Sequence, residues 1–191
     1  MNLVEYASIR TGLVLSRKEA LPNENSQIYH ALSLKNITEE GQILLTGIEN
    51  YSAVEQLKEE YFTREGDILL RLSAPYTAVI ITQKEAGLLV PSHFAIIRVK
   101  EMIEPRYLRW WVAKKRKCFY KIASGGAMMG TISSGYVAQM PFGPPPLEKQ
   151  RKIGELFELV NQEQQLLSLL AKKKKQLIDA VILELSTVGE N

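Results

Sequence analysis

The period of the apolar positions changes along this chain, and each change marks an element. Residues 29–34 alternate and are rich in β-prone types, which predicts a strand. Residues 68–72, 78–81, 88–90 and 94–99 are short apolar runs between turn residues, which predicts further, buried strands. Strands in such close succession imply a twisted, mainly antiparallel sheet, mixed at most. Residues 51–61 fit either a strand pair or a short helix. From Pro105 the spacing turns helical. Tyr107, Leu108, Trp111, Val112, Phe119 and Ile122 share one face of a helix predicted to reach about Lys121. Beyond a proline cluster at 141–146, apolar residues recur at spacings of three and four from 153 to 185. That is a second helical stripe, and a much longer one.

The prolines read as a stiff entry, because proline is tolerated before a helix or in its first turn but not inside it. About 38 helical residues then follow, roughly 57 Å at the usual rise. A compact domain of this size is only about 30–35 Å across. Such a helix has to project, and a projecting apolar stripe needs a partner. The stripe is broken at residues 161–165 and at the lysine run 172–175. Lys174 falls three residues before Leu177 and seven after Leu167, a seam position where a polar residue sets coiled-coil register. The expected fold class is therefore α+β. Residues 1–140 form a twisted sheet with helices, and residues 141–191 form a proline-led linker and a long coiled-coil-like helix.

Composition adds limits. With 46% hydrophobic and 24% charged residues, the 191-residue chain supports one folded domain with an extension. No apolar run approaches the roughly 20 residues of a membrane span. The N-terminus has no basic segment followed by an apolar one, so no signal peptide is expected. The lone Cys118 excludes an internal disulfide and fits a reducing compartment, so the cytoplasm is the expected location. Charge is unevenly spread. Residues 1–104 carry 10 Lys/Arg against 14 Asp/Glu, and residues 105–191 carry 14 against 7. A polyanionic partner on one side of the molecule would explain that asymmetry, as would a merely solvated surface.

Candidate chemistry is sparse. There is no Walker-type phosphate loop and no Gly-x-Gly-x-x-Gly after a strand. His30 and His93 with one cysteine do not make a typical zinc set. Ser92 and His93 are adjacent and, in an extended segment, would point to opposite faces. Cys118 reads as a small buried residue, or as a thiol activated by the lysines around it. The helix from Pro105 carries seven cations in sixteen residues (Arg106, Arg109, Lys114, Lys115, Arg116, Lys117 and Lys121), with no acid among them. Such a face suits phosphates, because each one neutralised releases counterions. Trp110 and Tyr120 interleave with it and are candidates to pack on sugar or base. The glycine loop at 124–130 can approach a nucleic-acid backbone closely.

Several pieces, in this order, resemble one family. They are Thr11-Gly12, Gly66-Asp-Ile-Leu-Leu70, Phe94-Ala-Ile-Ile-Arg98, Pro105-Arg-Tyr-Leu108, the Ser124-Gly-Gly loop with Ile132 soon after, and Pro144-Pro-Pro-Leu-Glu-Lys-Gln150. Together they resemble the specificity subunits of type I restriction–modification systems. The resemblance implies a target-recognition domain that grips double-stranded DNA, followed by a helical spacer. Full-length members carry two such units whose long helices pair antiparallel. DNA adenine methyltransferase and restriction subunits gather around them and do the chemistry. The chain itself would then be non-catalytic and hold no cofactor, with S-adenosylmethionine in the methyltransferase. Only one unit is present here, so the chain looks like a half-subunit that rebuilds the tandem arrangement as a homodimer.

The candidate DNA contacts are Arg71, Ser73, Tyr76 and Thr77 in one loop and Ser124, Gly125, Gly126, Thr131 and Ser133 in another. Lys114, Arg116 and Lys117 are assigned to the phosphate backbone. The candidate dimer seam is Ile153, Leu156, Val160, Leu167, Leu170, Leu177 and Val181. Two rival readings stand beside this one. The first is an assembly or decoy protein that binds the methyltransferase without DNA specificity. The second is a stand-alone nucleic-acid enzyme.

Overall fold

In the computed structural model, which describes residues 1–21, 26–125 and 130–187, the two most apolar runs lie side by side. The strands are β1 (Ala7–Thr11), β2 (Gln27–Ala31), β3 (Glu49–Ala53), β4 (Ile68–Arg71), β5 (Ala78–Ile80) and β6 (Phe94–Val99). They form a four-stranded sheet in the order β1-β6-β4-β5 and a two-stranded sheet of β2 and β3. Every pairing between these strands is antiparallel, as the short connections require. Ile68, Leu69, Leu70, Phe94, Ala95, Ile96 and Ile97 are all essentially inaccessible. β4 and β6 have no polar face because both sides of the sheet are covered. The expected strand at 29–34 begins and ends earlier, at Gln27–Ala31, and the ambiguous stretch resolves into β3 and a single 3-10 turn, Glu59–Tyr61.

One face of the large sheet carries helices α1 (Pro105–Lys114), α2 (Arg116–Gly125) and α3 (Ser134–Ala138). Ile68, Leu70 and Ile97 meet Leu108, Val112 and Phe119 there. The other face is closed by Leu32, Ile37, Val79, Ile81 and Val90 around Leu69, Phe94 and Ile96. The single helix expected from Pro105 to about Lys121 is two helices. The Lys115 amide bonds back to Val112 at 3.0 Å, an i−3 bond that tightens the last turn and ends α1 there.

The quoted motifs turn out to be joints of this scaffold. Gly66 (φ +84°) makes the turn into β4, and Asp67 follows it into the interior. Its carboxylate accepts the Arg64 amide at 2.8 Å and two bonds from Arg98 Nε and Nη2, each 2.7 Å. The Gly-Asp-Ile-Leu and Phe-Ala-Ile-Ile-Arg motifs are thus one ion-paired strand pair. A Cβ at Gly12 would sit 2.3 Å from the Val90 and Pro91 carbonyls, so β1 crosses the 90–91 segment only with glycine there.

Helix α4 (Leu147–Thr187) has 41 residues, about 62 Å of helix. Its first turns are docked. Gln150 is buried; its Oε1 accepts the Glu104 amide at 3.0 Å, and its Nε2 donates to Met102 O and Pro145 O. Gly154 lets the helices touch, since a Cβ there would meet Arg106 Cβ at 2.7 Å. Arg109, expected on the open basic face, is instead buried. It ion-pairs with Glu158, donates to Ala78 O and lies over the Phe157 ring. Ile153 also packs on this core, which removes it from the exposed seam. Beyond Asn161, almost every described residue of α4 is exposed, with only Gln165 in between. Among the described residues, no helix is long and apolar enough to cross a membrane.

Candidate nucleic-acid interface

Antiparallel register brings separate loops to one end of the sheet. Thr11 closes β1 opposite Ala95, and Arg71 closes β4 opposite Phe94. The start of β6, the loop after β4 and the segment before α3 therefore meet there. They line a cleft of about 300 Å³. Its polar lining is Thr11, Ser73, Ser92, His93, Thr131, Ser133 and Ser134, over a floor of Leu72 and Ile132. A β-bridge joins Ser73 to Thr131, and the Ile132 amide bonds Leu72 O at 2.8 Å, so the two candidate loops form one unit. Thr11 and Ser134 share a hydroxyl hydrogen bond of 2.7 Å, and Ser133 Oγ accepts the Tyr136 amide at 3.0 Å. Hydroxyls both donate and accept, which suits phosphate oxygens and base edges alike.

Three sequence-derived candidates, Ser73, Thr131 and Ser133, line this cleft. Arg71 lies beside it, its Nε donating to Ser73 Oγ at 3.3 Å. Ser134, a further hydroxyl of the same segment, lines the cleft too, whereas Thr11, Ser92 and His93 were not among the DNA-contact candidates. No periodicity marks them, because each owes its place to where an element ends. Ser92 and His93 were expected on opposite faces. Both line the cleft because residues 91–94 form a turn, closed by the Phe94 amide on Pro91 O at 3.1 Å.

Tyr76 and Thr77 are corrected: both are buried, and neither presents a side chain for direct contact. Tyr76 has a left-handed backbone (φ 55°), held by its ring against Phe119 and Tyr120 and by its hydroxyl donating to Gly130 O at 3.1 Å. Burial pushes its phenol pKa up, with Tyr120 adding to the effect. Arg116 was assigned to phosphate. Its Nε donates to Pro75 O at 2.5 Å and its Nη2 to Thr77 Oγ1 at 3.4 Å, so it anchors the 73–77 loop from α2. Lys114 and Lys117 are exposed, as is Lys121. Lys115 lies over the Trp111 ring at 4.9 Å. Trp110 packs toward the core beside Tyr107, whereas Tyr120 remains exposed. Ser124 and Gly125 are exposed at the end of α2, with Ser124 Oγ donating to Tyr120 O at 2.8 Å. Gly126 lies outside the described residues. Cys118 is half-buried, 3.3 Å from the Tyr136 hydroxyl, whose pKa is pushed up to about 12 by that hydrogen bond and by burial.

The Arg116 geometry separates anchoring from phosphate contact. If duplex DNA binds at this cleft, Arg116→Ala is expected to weaken specific binding by roughly ten-fold while leaving the salt dependence of non-specific binding unchanged. A salt slope reduced by about one unit would instead assign Arg116 to a phosphate.

A hydroxyl-lined cleft where loops gather, exposed lysines on a neighbouring helix and a long exposed helix characterise this α+β fold. No protein-family model matches the sequence, and no curated protein matches it. Solved structures do. One is a chain from work on complex assembly and conformational transition of the type I R-M system. It aligns with 95% of this chain at a TM-score of 0.64 and 14% identity. Another is the HsdS subunit of Thermoanaerobacter tengcongensis, aligned with 85% at 0.58 and 15% identity. The fold is that of type I restriction–modification specificity subunits. The chain spans about two fifths of the length of these solved chains, 42% and 37%.

Proposed function

We propose that this chain recognises a specific double-stranded DNA sequence as a half-length type I specificity subunit, working as a homodimer in the cytoplasm. In this reading it carries no catalytic group. It directs DNA adenine methyltransferase and restriction subunits, and S-adenosylmethionine is held by the methyltransferase. The observation that carries the reading is the extent of the likeness. It runs through the sheet domain and the long helix together, over 95% of this chain at a TM-score of 0.64. The cleft hydroxyls and the exposed Lys114 and Lys117 supply groups suited to bases and phosphates.

A salt titration with duplex DNA, with and without the methyltransferase, tests it. Affinity is expected to fall linearly with log salt, and Lys114→Ala and Lys117→Ala each to reduce the slope by about one. No binding at about 50 mM salt, even with the methyltransferase present, would leave the assembly or decoy reading in its place.

A further inference from the structure

The exposed part of α4 has an internal charge pattern that selects one way of pairing. Gly154, Phe157 and Glu158 face α1, and the opposite face is exposed. On that exposed face Leu156, Val160, Glu163, Leu167, Leu170, Lys174, Leu177 and Val181 follow one another at alternating spacings of four and three. This is a heptad seam. All eight are exposed, the six apolar ones between 44% and 65%. Two of them are charged and of opposite sign, and among the described residues neither Glu163 nor Lys174 has an ion-pair partner in its own chain.

We infer that a second copy covers this face as an antiparallel helix. Its two-fold axis passes between Ser168 and Leu169, and Glu163 of each copy pairs with Lys174 of the other. The inference rests on the dimer reading above, whose antiparallel pairing the resemblance already implies, and adds to it the register and the charge pair that fixes it. Orientation follows from charge. A parallel, in-register pair sets Glu163 against Glu163 and Lys174 against Lys174, and like charges at a seam repel. The antiparallel pair sets each against its opposite. Register follows from burial. With the axis at 168–169, Leu167 meets Leu170, Val160 meets Leu177, and Leu156 meets Val181. Every apolar seam residue then has an apolar partner, and the two charges satisfy each other twice. A slip of one heptad puts Lys174 on Leu156 or Leu170 and Glu163 on Leu167 or Val181. That leaves four unpaired charges at the interface, which is costly. It would also move the two sheet domains about 10 Å relative to each other along the helices.

The test is a charge-swap cycle on the full chain, read by sedimentation equilibrium, with circular dichroism to confirm that each variant is folded. Glu163→Lys alone and Lys174→Glu alone are each expected to weaken the dimer by about ten-fold or more. The double variant restores opposite charges and is expected to return within about three-fold of wild type. Unchanged affinity in both single variants would indicate a parallel pair and overturn the inference. Weak single variants without rescue in the double variant would leave a dimer but overturn this register. A wild type that stays monomeric at tens of micromolar would remove the dimer reading itself, and the register with it.

Discussion

For the proposed homodimer, a Leu170→Asp, Leu177→Asp double variant is expected to sediment as a monomer while the wild type sediments as a dimer. Both leucines are more than half exposed in the isolated chain, at 52% and 65%. Both lie well past Glu158, whose ion pair with Arg109 holds the docked turns of α4. Covering one such side chain is worth about 1.5–3 kcal/mol, and a symmetric dimer covers four of them. With only 52% and 65% of each left to cover, the summed loss is about 3.5–7 kcal/mol, most of the roughly 8 kcal/mol of a micromolar complex. The carboxylates add repulsion across the seam. The sheet domain should melt as before, because neither residue touches it. Binding to a duplex with one half-site should persist, while the gain from a second half-site disappears. If the variant remains a dimer, the contact lies elsewhere on the molecule.

Asp67→Ala is expected to be the most destabilising single change in the sheet domain. The Asp67 side chain is 1% exposed and that of Arg98 27%. The pair is bidentate, and the same carboxylate also caps the turn at Arg64. The bonds that Arg98 donates to Asp67 raise the Arg98 pKa. Removing the acid leaves a guanidinium without its counter-charge between two strands, at a cost of about 3–5 kcal/mol. For a chain of this length that lowers the melting temperature by roughly 10 °C or more. Asp67→Asn keeps the shape and one acceptor, and should lie between alanine and wild type. Thermal denaturation of the three proteins decides it. A shift of only a degree or two for alanine would mean that the pair contributes little.

How much was legible beforehand depended on the range of the interaction. β4, β6 and α4 announce themselves because burial on both sides, or along one stripe, writes a period into neighbouring residues. The motif resemblance was legible for a related reason. Gly12, Gly66, Asp67, Arg98, Gln150 and Gly154 are joints of the scaffold, where a turn, a close approach or a buried bond admits few residue types. These joints point to the architecture, and the cleft is made of other residues.

From sequence alone, this protein was determined to have an α+β body with a mainly antiparallel sheet and a helix too long to fold back on it. Its opposite charges at positions 163 and 174 were also there to be read. Only the tertiary structure decided what the basic face does. Arg109 is drawn inside by Glu158, 49 residues away, and Arg116 holds the loop at Pro75, 41 residues away. It alone buried Tyr76 and Thr77, placed Ile153 against the domain and brought Thr11, Ser92 and Ser134 to Ser73 and Thr131. The physical reason is that local periodicity reports which side of an element is covered. The partners of a charged or hydroxyl side chain are instead set by strand register and helix docking, which join residues far apart along the chain.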